Sequence, residues 1–268
     1  MKQLSLIILF SLLSSISIAQ EIELTESELK TKLDSVLYEG NLLYFYERAA
    51  WISSDLALAI PSVKDNFYSY ISYRESNGIR TIFLGKELQT CIAEYTFEGS
   101  FEIPPLIKIE KRDLSDKEKI LVEVREKILN NLSSKDYKVI IPEGYNLNFV
   151  LLPFGEKYKL YILTGTTKPN IIPFGNDYLF IADKTGEIES WHKFHSRLIP
   201  MEIEEKHVGL MHTHLPTTPL ITATDICTFM LNAPYFVNID CFSVYSPAID
   251  KIMKYCLKDN KITIEKDF

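Results

Sequence analysis

His212-Thr-His-Leu-Pro-Thr-Thr-Pro-Leu-Ile-Thr-Ala-Thr-Asp225 is the stretch on which the reading of this chain turns. It begins at the end of an apolar run, 208–214, that predicts a strand. Side chains at i and i+2 of a strand share a face, so His212 and His214 point the same way. Two imidazoles so placed can share one cation, which is a common start to a zinc site. The stretch closes on Thr222-Ala-Thr-Asp225, a capping box that opens a short helix ending at Pro234. That box alone can account for Thr222 and Asp225 as helix-starting residues. His212 and His214 can equally be strand residues hydrogen-bonded in a polar cleft.

Written as a pattern, the stretch is H-x-H, seven residues, Thr222, two residues, Asp225. It resembles the H-x-H-x7-S-x2-D motif of the JAB/MPN (JAMM) metalloproteases, with Thr where that family usually has Ser. The likeness extends over about residues 155–266: a helix after Asp225, a strand at 240–245, then a strand, a Lys-Asp-Asn turn and a strand over 251–264. The resemblance implies a curved mixed sheet flanked by helices near 116–132 and 223–232. It implies zinc held by His212, His214 and Asp225, with an open fourth position for the attacking water. Thr222 would then offer its hydroxyl to the developing oxyanion. The family also carries an upstream Glu as general base, and here the sequence departs from it. The corresponding strand, Tyr158-Lys-Leu-Tyr-Ile-Leu-Thr-Gly165, contains no Glu. Glu156, just before it, is the first candidate; Glu187 and Glu189, beside a later turn, are weaker ones. The expected function is a zinc-dependent hydrolase of a peptide or isopeptide bond, with a peptide or protein as partner. The alternative is a non-catalytic binding or structural protein on the same fold, with or without a metal.

All five histidines fall within residues 192–214. His192 and His195 are three apart and face opposite ways on a strand, so one is expected exposed and the other behind the metal ligands. His207 sits in a Glu-Glu-Lys-His run and reads as surface. Outside this region the fold class reads as α+β. Residues 20–110 are expected to be a separate unit: Thr25 and Glu28 cap an amphipathic helix, and an antiparallel meander turning at Asn77-Gly78 follows. Pro104-Pro105 ends it. Ser115 and Glu118 form a second capping box, with Leu114 as its staple, opening the domain assigned to 111–268. Strands are expected at 147–152, 158–163, 178–182, 188–194, 240–245, 252–257 and 261–265.

The first residues predict export. Lys2, an apolar Leu4–Leu13 and Ser17-Ile18-Ala19 have the layout of a cleavable signal peptide over residues 1–19. The product would be periplasmic or extracellular, and no later stretch is long and apolar enough to cross a membrane. A net charge of −7 and the lack of any Lys/Arg block argue against nucleic acid and anionic membranes as partners. Of the four cysteines, none has metal-knuckle spacing. They read as buried thiols, with Cys241–Cys256 as the one bridge worth testing in an oxidising compartment.

Overall fold

The computed structural model describes residues 24–134, 137–204 and 209–265; the expected signal peptide and His207 lie outside them. The chain is α+β. Helix α1 (Glu26–Leu58) starts at the expected box, with Thr25 and Glu28 capping each other, and runs unbroken for 33 residues. A single turn, α2 (Pro61–Lys64), leads into the meander β1 (Phe67–Glu75), β2 (Gly78–Gly85) and β3 (Thr90–Phe97). Two short strands, β4 (Leu106–Lys108) and β5 (Arg112–Asp113), both pair with β3. Helix α3 (Asp116–Ser134) begins at Ser115 and Glu118, which bond each other's backbone as the sequence predicts.

Four strands then form an antiparallel sheet in the order β10-β9-β7-β6: β6 (Asn146–Phe154), β7 (Lys157–Gly165), β9 (Tyr178–Ala182) and β10 (Ile188–Lys193). Between and after them the chain makes a ribbon that the sequence reading lacks, β8 (Ile171–Gly175) against β11 (Leu198–Glu202). Each of its strands contains a proline, and Pro173 stands opposite Pro200. Proline removes a ladder donor and so hides such strands from a pattern search. The last sheet is mixed: β12 (Leu210–Thr213) runs parallel to β13 (Cys241–Ser246), which pairs with β14 (Lys251–Cys256) and then β15 (Lys261–Glu265). Helix α4 (Ala223–Asn232) is the crossover between β12 and β13, and a 3-10 turn at Ala233–Tyr235 contains the expected stop at Pro234. Cys241 and Cys256 face each other across β13 and β14 and are joined in a disulfide; Cys91 and Cys227 are buried thiols.

The packing differs from two separate units. One core joins Leu43, Tyr46 and Ala49 of α1 and Phe83 and Tyr95 of the meander to Val150 and Tyr161 of the second sheet and Cys227 of α4. A second joins Ile82 and Leu84 to Val124 and Ile128 of α3 and to Leu160 and Phe180. A third puts Leu29 and Leu33, at the start of α1, with Phe174, Ile226, Phe229 and Phe242. The boundary expected near residue 110 therefore passes through shared cores. The physical reason is the length of α1: a helix of 33 residues spans about 50 Å, more than the meander can cover, so its first half packs on the C-terminal elements. Where α1 crosses α4, Gly40 lies so close that a Cβ there would stand 2.8 Å from Ile226 Cβ.

Candidate metal centre

The site is built where strands change sheets. β8 leaves its ribbon and becomes β9 through Gly175, Asn176 and Asp177. β10 leaves the second sheet and becomes β11 through Phe194–Arg197. The two corners are tied by backbone bonds, Phe194 N–H to Asp177 O at 3.1 Å and Asn176 N–H to Arg197 O at 3.1 Å. Gly175 has φ +76° and Asn176 φ +52°. A Cβ on Gly175 would meet the Arg197 carbonyl oxygen at 2.3 Å, so only glycine permits this approach. The Asn176 amide donates to Ile140 O at 2.9 Å and its oxygen accepts from Tyr178 Oη at 3.1 Å. This turn sets Asp177 under the His195 ring.

His212 comes from β12. His214 follows just past its end, where its N–H bonds Tyr245 O at 2.9 Å and keeps the chain in register. Asp225 lies in the first turn of α4. His195, His212, His214 and Asp225 are all buried, and one ligand atom from each lies within 4.8 Å of the others. His195 Nε2 is 3.0 Å from His214 Nε2, and His212 Nε2 is 3.1 Å from it. Asp225 Oδ1 stands 3.4 Å from Nε2 of both His195 and His212, and Oδ2 stands 3.2 Å from His214 Nε2.

The outer nitrogens fix the tautomers. His195 Nδ1 is 2.7 Å from Asp177 Oδ1, and a carboxylate only accepts, so Nδ1 carries a hydrogen. His214 Nδ1 faces the carbonyls of Leu220 at 2.8 Å and Thr218 at 3.1 Å, so it too carries one. In the neutral rings both Nε2 atoms then present lone pairs to each other. His212 is held by ring packing on Phe174 and Phe242, and its Nδ1 has no hydrogen-bond partner; nor has Asp225 Oδ1. Burial opposes charge on His195, but Asp177 and Asp225 outweigh it and push that imidazole up to about 9. Burial pushes His212 down, helped by its two imidazole neighbours. Asp225, although buried, is held far below the usual carboxylate range by the three imidazoles. A proton on His195 can serve the His214 lone pair, yet it leaves Asp225 Oδ1 unpartnered. One cation at the centre would serve all four groups. Zinc bonds of about 2.0–2.2 Å place tetrahedral donors about 3.3–3.6 Å apart, close to the 3.0–3.4 Å of the contacts above. The buried group His195, His212, His214 and Asp225 can hold a metal ion.

His212, His214 and Asp225 are thus brought together as their spacing predicts, and the other expected roles are altered. Thr222 caps α4: its hydroxyl is 2.7 Å from Asp225 Oδ2 and 2.8 Å from Thr224 Oγ1. The Thr224 hydroxyl is itself bonded to Asp177 Oδ2. The one Thr222 proton is therefore spent inside the capping network, where it orients a ligand and has no reach to an oxyanion. Glu156 is exposed in the turn between β6 and β7. Tyr178 faces Ile162, and at about 3.3 Å per residue Glu156 lies some 20 Å along β7 from that point. It is no base for this site. Glu187 and Glu189 pair with Lys127 and Lys157 at the same remote end.

His195 and Asp177 were the residues missed. Of His192 and His195, expected to be one exposed and one behind the ligands, His195 is instead in the ligand group, and His192 is half-buried and bonds Thr218 Oγ1 at 3.1 Å outside it. The usable signals were the clustering of histidines and the Gly-Asn-Asp run at 175–177. A cavity of about 260 Å³ opens on His195 and His212, with Arg197 at its wall. No protein-family model, no curated protein and no solved structure matches this chain.

Proposed function

We propose that this protein binds one zinc ion through His195, His212, His214 and Asp225, and that the ion is a structural tie. The observation that carries this reading is the convergence of three buried imidazole nitrogens and one buried carboxylate within 4.8 Å of one another, with the outer nitrogens of His195 and His214 already committed. Three imidazoles and one carboxylate suit zinc, and four protein ligands make the closed set of a structural site. Asp177 orients His195, the Leu220 carbonyl orients His214, and Thr222 orients Asp225, the outer contacts that a metal site needs. The bound ion would supply positive charge joining the β10–β11 corner, β12 and α4.

The spacing from His212 to Asp225 and the parallel crossover through α4 support a distant JAB/MPN-like relationship in which His195 occupies the fourth position. A base acting on a metal-held water would sit one hydrogen bond farther out than His195 does, since it must stay about 2.6–3.2 Å from that water. The disulfide supports an exported protein, as the N-terminal pattern suggests. The second reading is a zinc hydrolase acting on a peptide or isopeptide bond. It is favoured by the cavity on His195 and His212, through which a carbonyl could approach.

The two readings separate in one experiment. On the structural reading, chelation lowers the melting temperature by about 10 °C, and the zinc-loaded protein leaves peptide and isopeptide substrates intact. Zinc-dependent cleavage abolished by His212→Ala would establish the second reading in its place.

A further inference from the structure

A cavity of about 530 Å³, which shares no residue with the metal centre, lies between α1 and the tip of the β1–β2 hairpin. Its helical wall is Tyr38, Asn41, Leu42 and Phe45, spaced i, i+3, i+4, i+7, so they form one stripe of α1. A helix normally buries such a stripe, but here Tyr38 is 65% and Phe45 41% exposed. Phe101 completes this aromatic wall, its ring 5.8 Å from Phe45 and 5.1 Å from Phe97. One lining residue carries charge, Arg74. Strand parity fixes its direction. Tyr73 faces α3, where its hydroxyl bonds Glu118 at 2.6 Å, so Arg74 lies on the face that α1 covers. Its cross-strand partner Ile79 shares that face and packs with Leu43 and Tyr46 of α1. Arg74 is exposed, and among the described residues its guanidinium has no carboxylate partner. The adjacent Glu75 stands 3.9 Å from both Arg80 and Lys117 instead.

The lining decides the ligand class. Of the amides, Asn41 and Asn260 are spent on each other at 3.0 Å, and Asn41 also donates to Leu37 O. Asn77 Oδ1 accepts from Ser76 Oγ at 2.6 Å, which leaves its N–H groups as further donors three residues from Arg74. No carboxylate lines the cavity, so it has nothing to hold a cation. A guanidinium fork beside an amide suits an anion, and pairs bidentately with a carboxylate. A single arginine offsets one unit of charge, short of the roughly −1.5 to −2 of a phosphate group. The exposed rings ask for an apolar body, which an offset or edge-on aromatic ring fills best. At about 30 Å³ per water molecule, the cavity has room for a ligand the size of about eighteen waters, enough for a ring on a short chain. We propose that this cavity binds an aryl-alkyl monocarboxylate, whose oxygens accept from Arg74 and Asn77 and whose ring lies among Tyr38, Phe45 and Phe101. This site is independent of the metal reading, since none of its residues is a ligand.

The test is a titration of the full chain, followed by NMR, with sodium phenylbutyrate. Parallel titrations use phenylbutanol, which keeps the ring and chain but lacks the charge, and inorganic phosphate, which has charge and no ring. Saturable binding of one phenylbutyrate per chain is expected, with phenylbutanol and phosphate each about tenfold weaker, as loss of a charged hydrogen bond or of the ring contacts dictates. Arg74→Gln should weaken phenylbutyrate binding by about tenfold as well. Tyr38→Ala, which removes an exposed ring, should weaken it by about threefold or more. Absence of saturable binding, equal binding of phenylbutanol or phosphate, or unchanged affinity in either folded variant overturns the proposal. Should a variant fail to fold, the three wild-type titrations decide alone.

Discussion

Asp177 shows how much of the site rests on residues that touch no metal. Its two oxygens hold the His195 ring and the Thr224 hydroxyl, so one buried carboxylate connects the β10–β11 corner to the start of α4. Asp177→Asn keeps the volume but can present an N–H to His195 Nδ1, which favours the wrong tautomer. Zinc affinity should fall by about 10–100-fold, the usual cost of such an outer contact, with little change in far-UV circular dichroism. A competition titration against a chelator of known affinity measures this; unchanged affinity would remove Asp177 from the account. The sequence made His212, His214 and Asp225 legible because strand parity and helix capping are local rules. Asp177 and His195 were illegible for the opposite reason. They meet only because β8 and β10 leave their partners at the same corner, a non-local event with no fixed spacing.

Elements tell the same story in larger units. The capped starts of α1 and α3, the strands of the second sheet and the β13–β15 hairpins follow from capping boxes and apolar runs. The β8–β11 ribbon does not, because Pro173 and Pro200 break the pattern that marks a strand. Two element contacts make predictions. Gly40→Ala should raise the helix propensity of α1 yet destabilise the protein by about 1–3 kcal/mol, because the added methyl overlaps Ile226 at the α1–α4 crossing. Urea unfolding checks it; a Gly40→Ala protein as stable as the wild type would contradict the close crossing. The second contact pins α3 to the meander. Glu118 accepts from Arg112 Nη1 and Nη2, each at 2.8 Å, and from Tyr73 Oη at 2.6 Å. Burial opposes its charge, but these donors win and hold the carboxyl at about 2, below its ordinary 4.5. A depressed folded-state pKa gives stability that is fully present above 4.5 and lost as pH falls through about 2. Thermal melts between pH 5 and 2 should therefore show a falling melting temperature. Glu118→Gln should start lower and fall less steeply; parallel curves would contradict the assignment.

At the scale of the whole molecule, α1 and α4 bind the two halves together. α1 contributes side chains to the first and third cores, and so does α4. The metal ligands stand at the edge of the third core, next to Phe174 and Phe242, and the disulfide closes the far side of the same sheet. Cross-linking a loop of this size is worth about 3 kcal/mol in the unfolded-chain model. Composition and pattern made the α+β class readable, but the shared cores depend on how far α1 reaches, which periodicity alone does not reveal. The central claim is that His195 is a fourth ligand on equal terms with His212, His214 and Asp225. The direct measurement is elemental analysis of protein purified without chelator, as wild type, His195→Ala and His192→Ala. One zinc per chain is predicted for wild type and for His192→Ala, with loss of most of it in His195→Ala. Full zinc occupancy in His195→Ala, or none in the wild type, would contradict the account.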